Sequence, residues 1–207
     1  MLAEWTAECG PDDPVLVVPW SDPASGARFV NLRAEPYDLA EVPEADAYPA
    51  LRRALRALNA QGSAFLTAKC DAWTLYAEDG AEKLEALRLD LDVSDEEVAF
   101  GFGSYIDLVP RERTLFASAH VFSERLDRMI RRATRLPHPY AALEATMRPA
   151  LVELRGVQEG YSVTLYITGV AGDPDTAAKR WEAALEDIVH LLREREWAVP
   201  VRSATID

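Results

Sequence analysis

A chain of 207 residues, 49% hydrophobic and 28% charged, is long enough to bury a full core and has the balance of an ordinary globular protein. Its formal net charge of −13 argues against nonspecific binding to nucleic acid or to an anionic membrane surface, because phosphate attraction needs a positive field. No stretch approaches the roughly 18 consecutive apolar residues that a membrane helix requires.

Residues 1–45 are rich in proline, acidic groups and aromatics, with Trp5, Trp20, Phe29 and Tyr37 among six prolines. So many large aromatics would be unusual in a disordered tail, so this irregular segment is expected to pack on the body of the fold. Within it, Val15–Val18 and Arg28–Leu32 are short strand candidates joined by SDPASGA, which has strong turn chemistry. The stretch 46–61 reads as a helix with Leu51, Leu55 and Leu58 on one stripe; Pro49 is tolerated only in its first turn. A strand follows over 63–76, its even positions mostly small and apolar, its odd positions Phe65, Thr67, Lys69, Asp71, Trp73 and Leu75 projecting from the other face. Residues 78–97 form an acidic connection with a helical turn near Ala81–Leu87. In 97–109, Val98, Phe100, Phe102, Ile106 and Leu108 alternate with Gly101, Gly103, Tyr105 and Asp107.

A helix within 111–136 carries Phe122, Leu126, Met129 and Ala133 at helical spacing. A shorter helix is expected around Ala141–Met147, bracketed by Pro137, Pro139 and Pro149. The run from Leu151 to Val170 reads as a hairpin about Glu159-Gly160, with Gln158 opposite Tyr161, or with a three-residue bulged loop. That register sets Val152, Leu154 and Gly156 against Ile167, Leu165 and Val163, and leaves Glu153, Arg155, Thr164, Tyr166 and Thr168 on the reverse. Asp173-Pro174 caps a final helix with Trp181, Leu185, Ile188 and Leu192 on its buried stripe. Residues 198–206 would supply a closing strand.

From residue 97 the order is strand, helix, strand, strand, helix, strand. This is the split β-α-β pattern of a ferredoxin-like antiparallel sheet with helices on one face. The class is therefore α+β: a single domain over 46–207, extended by an N-terminal helix, strand and irregular segment.

Alternation then collects Lys69, Asp71, Trp73, Tyr105, Asp107, Arg155 and Tyr166 on the uncovered face. Aromatic rings beside convergent charges are what a small-molecule pocket uses, and Trp73, Tyr105, Arg155 and Tyr166 are the expected ligand-binding residues. Gly101 and Gly103 leave room for Trp73 or a ligand to approach the backbone, or mark a bulge. The expected function is binding of a small ligand or a partner on this face, self-association into a homodimer being its second form. The competing reading is a cofactor-free acid/base enzyme or hydrolase in which Asp71 and Asp107 are paired carboxylates and Lys69 a base. Plainer alternatives are a cross-strand ion pair, and aromatics buried as core beneath residues 1–45 or a second subunit.

His120 and Glu124 stand four apart and would offer two metal ligands on one helix face, with Asp107 or His138 as a third, but no compact metal motif exists and no metal or cofactor is expected. Cys9 and Cys70 have no CxxC or Cys/His spacing. As free thiols they fit a reducing compartment, and the acidic N-terminus lacks a secretory pattern, so the expectation is a cytoplasmic protein. GFGS around Gly101–Ser104 is no nucleotide loop, since no helix follows it. FLTAKCDAW (Phe65–Trp73) and GSYIDL (Gly103–Leu108) resemble stretches found in a bacterial protein family with no assigned activity. That resemblance covers about 15 residues and implies no cofactor or catalytic residue.

Overall fold

The computed structural model describes residues 1–94, 98–194 and 197. Its elements are β1 (Leu2–Ala7), β2 (Leu16–Val18), α1 (Pro43–Ala47), α2 (Pro49–Leu58), β3 (Phe65–Leu75), α3 (Ala77–Leu91), β4 (Phe100–Pro110), α4 (Arg113–Ala117), α5 (Ala119–Ala133), β5 (Ala141–Val152), β6 (Gln158–Ala171) and α6 (Pro174–Leu192). A 3-10 turn spans Pro36–Glu41.

The class is α+β, built on one six-stranded sheet in the order β1-β5-β6-β4-β3. The sheet is mixed. β5, β6, β4 and β3 pair antiparallel in succession, while β1 and β2 lie end to end and parallel along the outer edge of β5. This differs from the all-antiparallel ferredoxin-like sheet that the element order suggests. The split unit β4, β5 and β6 is present, but the place beside β4 is held by β3, which precedes it in the chain. The expected closing strand at 198–206 lies outside the described residues.

Three further expectations are corrected. First, Ala141–Met147 is strand, not helix. Its Ala, Leu, Glu and Met content favours a helix locally, but Leu143, Ala145 and Met147 alternate inward while β6 and β1 bond it on both sides, so tertiary pairing overrides propensity. Second, the hairpin register moves. Val152 pairs with Gln158, the turn is 153–157 with Gly156 at φ 102°, and Glu159-Gly160 lies inside β6. Gly160 serves packing there, since a methyl on it would fall 2.4 Å from the Phe116 carbonyl oxygen. Third, 28–32 forms no strand; Arg28 makes only an isolated bridge to Ser21.

One face of the sheet is covered by α2, α5 and α6. Phe102, Ile106, Leu108, Val163, Leu165 and Ile167 meet Phe122, Leu126, Met129, Trp181 and Leu185 there, all buried. As expected, α6 begins at Pro174, capped by the Asp173 carboxylate accepting from the Thr176 N–H at 2.9 Å. The Trp181 indole then donates to buried Ser104 Oγ at 2.8 Å, so the polar atoms of this contact are satisfied. Gly169 is the point of closest approach: a methyl on it would lie 2.3 Å from the Trp181 backbone nitrogen and 2.6 Å from the Ala177 carbonyl oxygen. These are backbone atoms, which cannot rotate away. Gly169→Ala should therefore lift α6 and cost about 2–3 kcal/mol in urea unfolding. Gly62→Ala, with nothing within 4 Å, is the neutral comparison.

Among the described residues, the reverse face is covered only at its two ends. The helix α3, where an acidic connection with a single helical turn is expected, lies over one end, with Leu84 and Leu87 packed on Val98, Ala142 and Val170. Helices therefore occupy both faces rather than one. At the other end Phe116 of α4 lies against Gly160 and packs in one cluster with Leu16, Val18, Leu66, Val109 and Val152 of the sheet.

A candidate site on the reverse face of the sheet

Between these two covers, the middle of the reverse face keeps a polar and aromatic surface. The β3–β4 register places Asp71 beside Tyr105 and Trp73 beside Gly103, and the β4–β6 register places Tyr105 beside Tyr166 and Asp107 beside Thr164. Three rings therefore run in a row across neighbouring strands, with Trp73 and Tyr105 centroids 6.2 Å apart and Tyr105 and Tyr166 centroids 6.1 Å apart. All three residues are half-buried, so part of each side chain stays exposed. Gly103 makes room for the first: a methyl on it would touch the Trp73 ring at 3.4 Å. Gly101 does the same for α3, since a methyl there would sit 3.1 Å from Leu84.

Asp107 is 7% exposed, and its Oδ1 accepts from Thr164 Oγ1 at 2.6 Å. Arg148 Nη1 donates to the same hydroxyl oxygen at 3.0 Å, and Arg148 Nε donates to Glu8 Oε2 at 2.7 Å. A chain of charge-assisted bonds thus runs from the β1 edge to the middle of the sheet. Burial pushes the Asp107 carboxyl above its usual range, and the Thr164 bond, Lys69 and Arg148 pull it back only in part. Burial, then Asp107 and Asp71, push the Tyr105 phenol up to about 12, so it is a hydrogen-bond donor and never a phenolate at neutral pH. The Arg148 guanidinium is disfavoured by its burial but held charged, above its ordinary value, by its bonds to Glu8 and Tyr166.

Lys69 lies 5.0 Å from the centre of the Trp20 ring, a cation–π contact at the rim, and Trp20 in turn donates to the Ala68 carbonyl at 2.8 Å. Lys83 of α3 pairs with Glu144 of β5 across the other rim. A cavity of about 340 Å³ opens there, lined by Trp73, Lys83, Glu144, Tyr166 and Thr168.

The structure brings together Lys69, Asp71, Trp73, Tyr105, Asp107 and Tyr166. Arg155 is not among them: it sits exposed in the β5–β6 turn. The cation facing the rings is Arg148, which the helical reading of 141–147 concealed. Glu144, Thr146 and Arg148 recur at every second position, and strand alternation applied there would have found them. Asp71 has a local partner, its Oδ1 accepting from the Ala72 N–H at 2.7 Å. His120 and Glu124 lie one turn apart on α5 with Nε2 and Oε1 3.7 Å apart, both exposed. Among the described residues no group of three or more His, Cys, Asp or Glu is placed to hold a metal ion. His138 instead meets Asp187 at 2.8 Å. No described helix is long and apolar enough to cross a membrane.

Fold and site together define an α+β protein with a row of aromatic rings on the reverse face of a mixed sheet, beside a rim cavity. Comparison with protein-family models, with curated proteins and with solved structures finds no match to this chain.

The raised carboxyl of Asp107 has a measurable consequence. Its ionised form is penalised in the fold, so the wild type loses stability as pH rises from the unfolded value near 3.8 through the higher folded value. Asn cannot ionise and keeps an acceptor for Thr164. Asp107→Asn should therefore be more stable than wild type in urea melts at pH 7, with the gap closing as pH falls toward 4; a variant less stable at pH 7 would refute this. The thiols should also separate. Burial pushes Cys70 up to about 12, whereas Cys9 is exposed. Brief iodoacetamide treatment of native protein at pH 8 should give one adduct, at Cys9, and two only after denaturation.

Proposed function

We propose that the reverse-face cleft binds a small planar ligand carrying N–H donors, neutral or cationic. The observation that carries this reading is the row of Trp73, Tyr105 and Tyr166 beside Asp71 and Asp107, open between two covered ends. Stacked rings bury the apolar surface of such a ligand, while a few convergent polar groups fix its orientation. The charge balance supports a donor-bearing ligand. Lys83 and Arg148 are spent on Glu144 and Glu8, and Lys69 sits over Trp20, which leaves Asp71 and Asp107 as the acceptors facing the rings. An organic anion would meet these carboxylates at close range. Free Cys9 and Cys70 support a reducing, cytoplasmic setting.

A second reading, an acid/base enzyme without a cofactor, is favoured by one specific observation. The Asp107 carboxyl is raised by burial and linked through Thr164 to Arg148, which suits a proton-transfer role. Asp71 would then orient substrate and Lys69 balance charge at the rim.

The test is a titration of aromatic amine and amide fragments, followed by tryptophan fluorescence and by ligand-observed NMR. Binding should weaken about tenfold or more in Trp73→Leu and in Tyr166→Ala, and remain unchanged in Arg155→Gln. Equal affinity in Trp73→Leu would remove the cleft as the binding site. For a fragment that is also turned over, Asp107→Asn should abolish turnover while binding persists if the enzyme reading holds.

A further inference from the structure

We infer that the protein has a second, separate binding site, for a small organic anion bearing a phosphate or carboxylate group. It lies in a cavity of about 910 Å³, where the end of α2, the segment around the 3-10 turn and the β5–β6 turn meet. Arg33, Arg56 and Arg155 line it, and among the described residues no aspartate or glutamate does. That is notable in a chain with 35 acidic and 22 basic residues. Several arginines elsewhere are matched with acids: Arg28 with Glu41, Arg52 with Asp46, Arg53 with Glu182, Arg131 with Asp127 and Arg148 with Glu8. Arg56 and Arg155 have no carboxylate within ion-pair distance among the described residues, although Glu153, Glu35 and Asp38 are near them or the cavity wall in sequence.

Three features make the cavity a site rather than a groove with stray charge. First, the segment that leaves α2 brings backbone carbonyls to this wall, which would repel an anion. Arg33 engages those of Asn59, Ala60 and Gln61 as a donor, the two shortest bonds being 2.8 and 3.0 Å. Second, the wall is fixed. Asn59 is buried, its amide donating to the Leu55 carbonyl at 2.9 Å and to Thr67 Oγ1 at 2.7 Å. Third, part of the lining is apolar, from Leu39, Leu66 and Leu154, with Tyr37 standing 92% exposed at the edge and Asn31 and Gln61 adding polar groups. Arg56 and Arg155 would grip the anionic group, where guanidinium geometry suits phosphate and carboxylate oxygens alike. The leucines and Tyr37 would cover the ligand's apolar body. The volume fits a metabolite or a cofactor-sized molecule.

The experiment is calorimetric titration of the full chain with inorganic phosphate, phenyl phosphate and benzoate at low ionic strength. Phenyl phosphate should bind with a dissociation constant of about 1 mM or tighter. It should bind more tightly than inorganic phosphate, because only it reaches the leucines. Arg56→Gln and Arg155→Gln should each weaken it about tenfold. The exposed Arg135→Gln on the far end of α5 removes the same charge, and Trp73→Leu alters the reverse-face cleft; both should leave binding unchanged. Arg56 and Arg155 are exposed, so their variants should unfold at the wild-type temperature. The inference fails if none of the three probes binds, if Arg135→Gln weakens binding as much as the cavity variants, or if phosphate and phenyl phosphate bind equally.

Discussion

A single irregularity in β3 governs which side chains reach the reverse face. The pairing of β3 with β4 shifts register between Thr67 and Cys70. Before the shift, Phe65 and Thr67 lie on the helix side and Leu66 points to the reverse; after it, Cys70 and Ala72 face the helices while Asp71 and Trp73 face the other way. A bulge leaves backbone groups without ladder partners, and a buried orphan costs about 1–3 kcal/mol. Here side chains supply them: Asn59 Oδ1 accepts from the Thr67 N–H at 3.2 Å, and the Trp20 indole donates to the Ala68 carbonyl at 2.8 Å. The register of the whole strand is thus pinned by one residue at the end of α2 and one in the N-terminal segment.

What β3 delivers becomes chemically useful through burial. Asp107 loses water because its neighbours on β3 and β6 stand close around it, and no facing cation compensates fully. Thr164 holds its oxygen, and Arg148 holds Thr164, yet Arg148 is itself committed to Glu8. A carboxylate bonded to a neutral hydroxyl is less stabilised than one forked to a guanidinium. The arrangement therefore keeps Asp107 responsive to what lies on the rings. The edge strand β1 matters for the same reason: by leading the chain to Glu8, it fixes the far end of this bond chain.

How legible all this was depends on whether periodicity or tertiary pairing decides each segment. Alternation in β4 and β6 is strong, and it placed Tyr105, Asp107, Thr164, Tyr166 and Thr168 on one face without any knowledge of their partners. The buried stripes of α2, α5 and α6 were equally plain. Two failures share one cause. In β5 the helix-forming composition of Ala141–Met147 outweighed a weak alternation, and with that strand unseen Glu159-Gly160 became the nearest turn signal. The resulting register carried Arg155 onto the ring face in place of Arg148. Whether β3 shifts face cannot be read from its own residues, because the partners that satisfy the bulge, Trp20 and Asn59, come from other elements. The large cavity is invisible for a like reason: Arg33, Arg56 and Arg155 belong to three separate segments.

The same strand also divides the surface electrostatically. On the side of the bulge nearest α2, Leu66 borders a cavity whose charged lining, among the described residues, is all arginine. Beyond it, Asp71 and Asp107 sit among the rings, with the neighbouring cations already engaged. The two regions share no lining residue and differ in the sign of their charge, which sets opposite preferences in the groups each can approach. In an acidic protein, a local excess of arginine with no acid among the described lining residues supplies a positive patch that the net charge alone does not indicate.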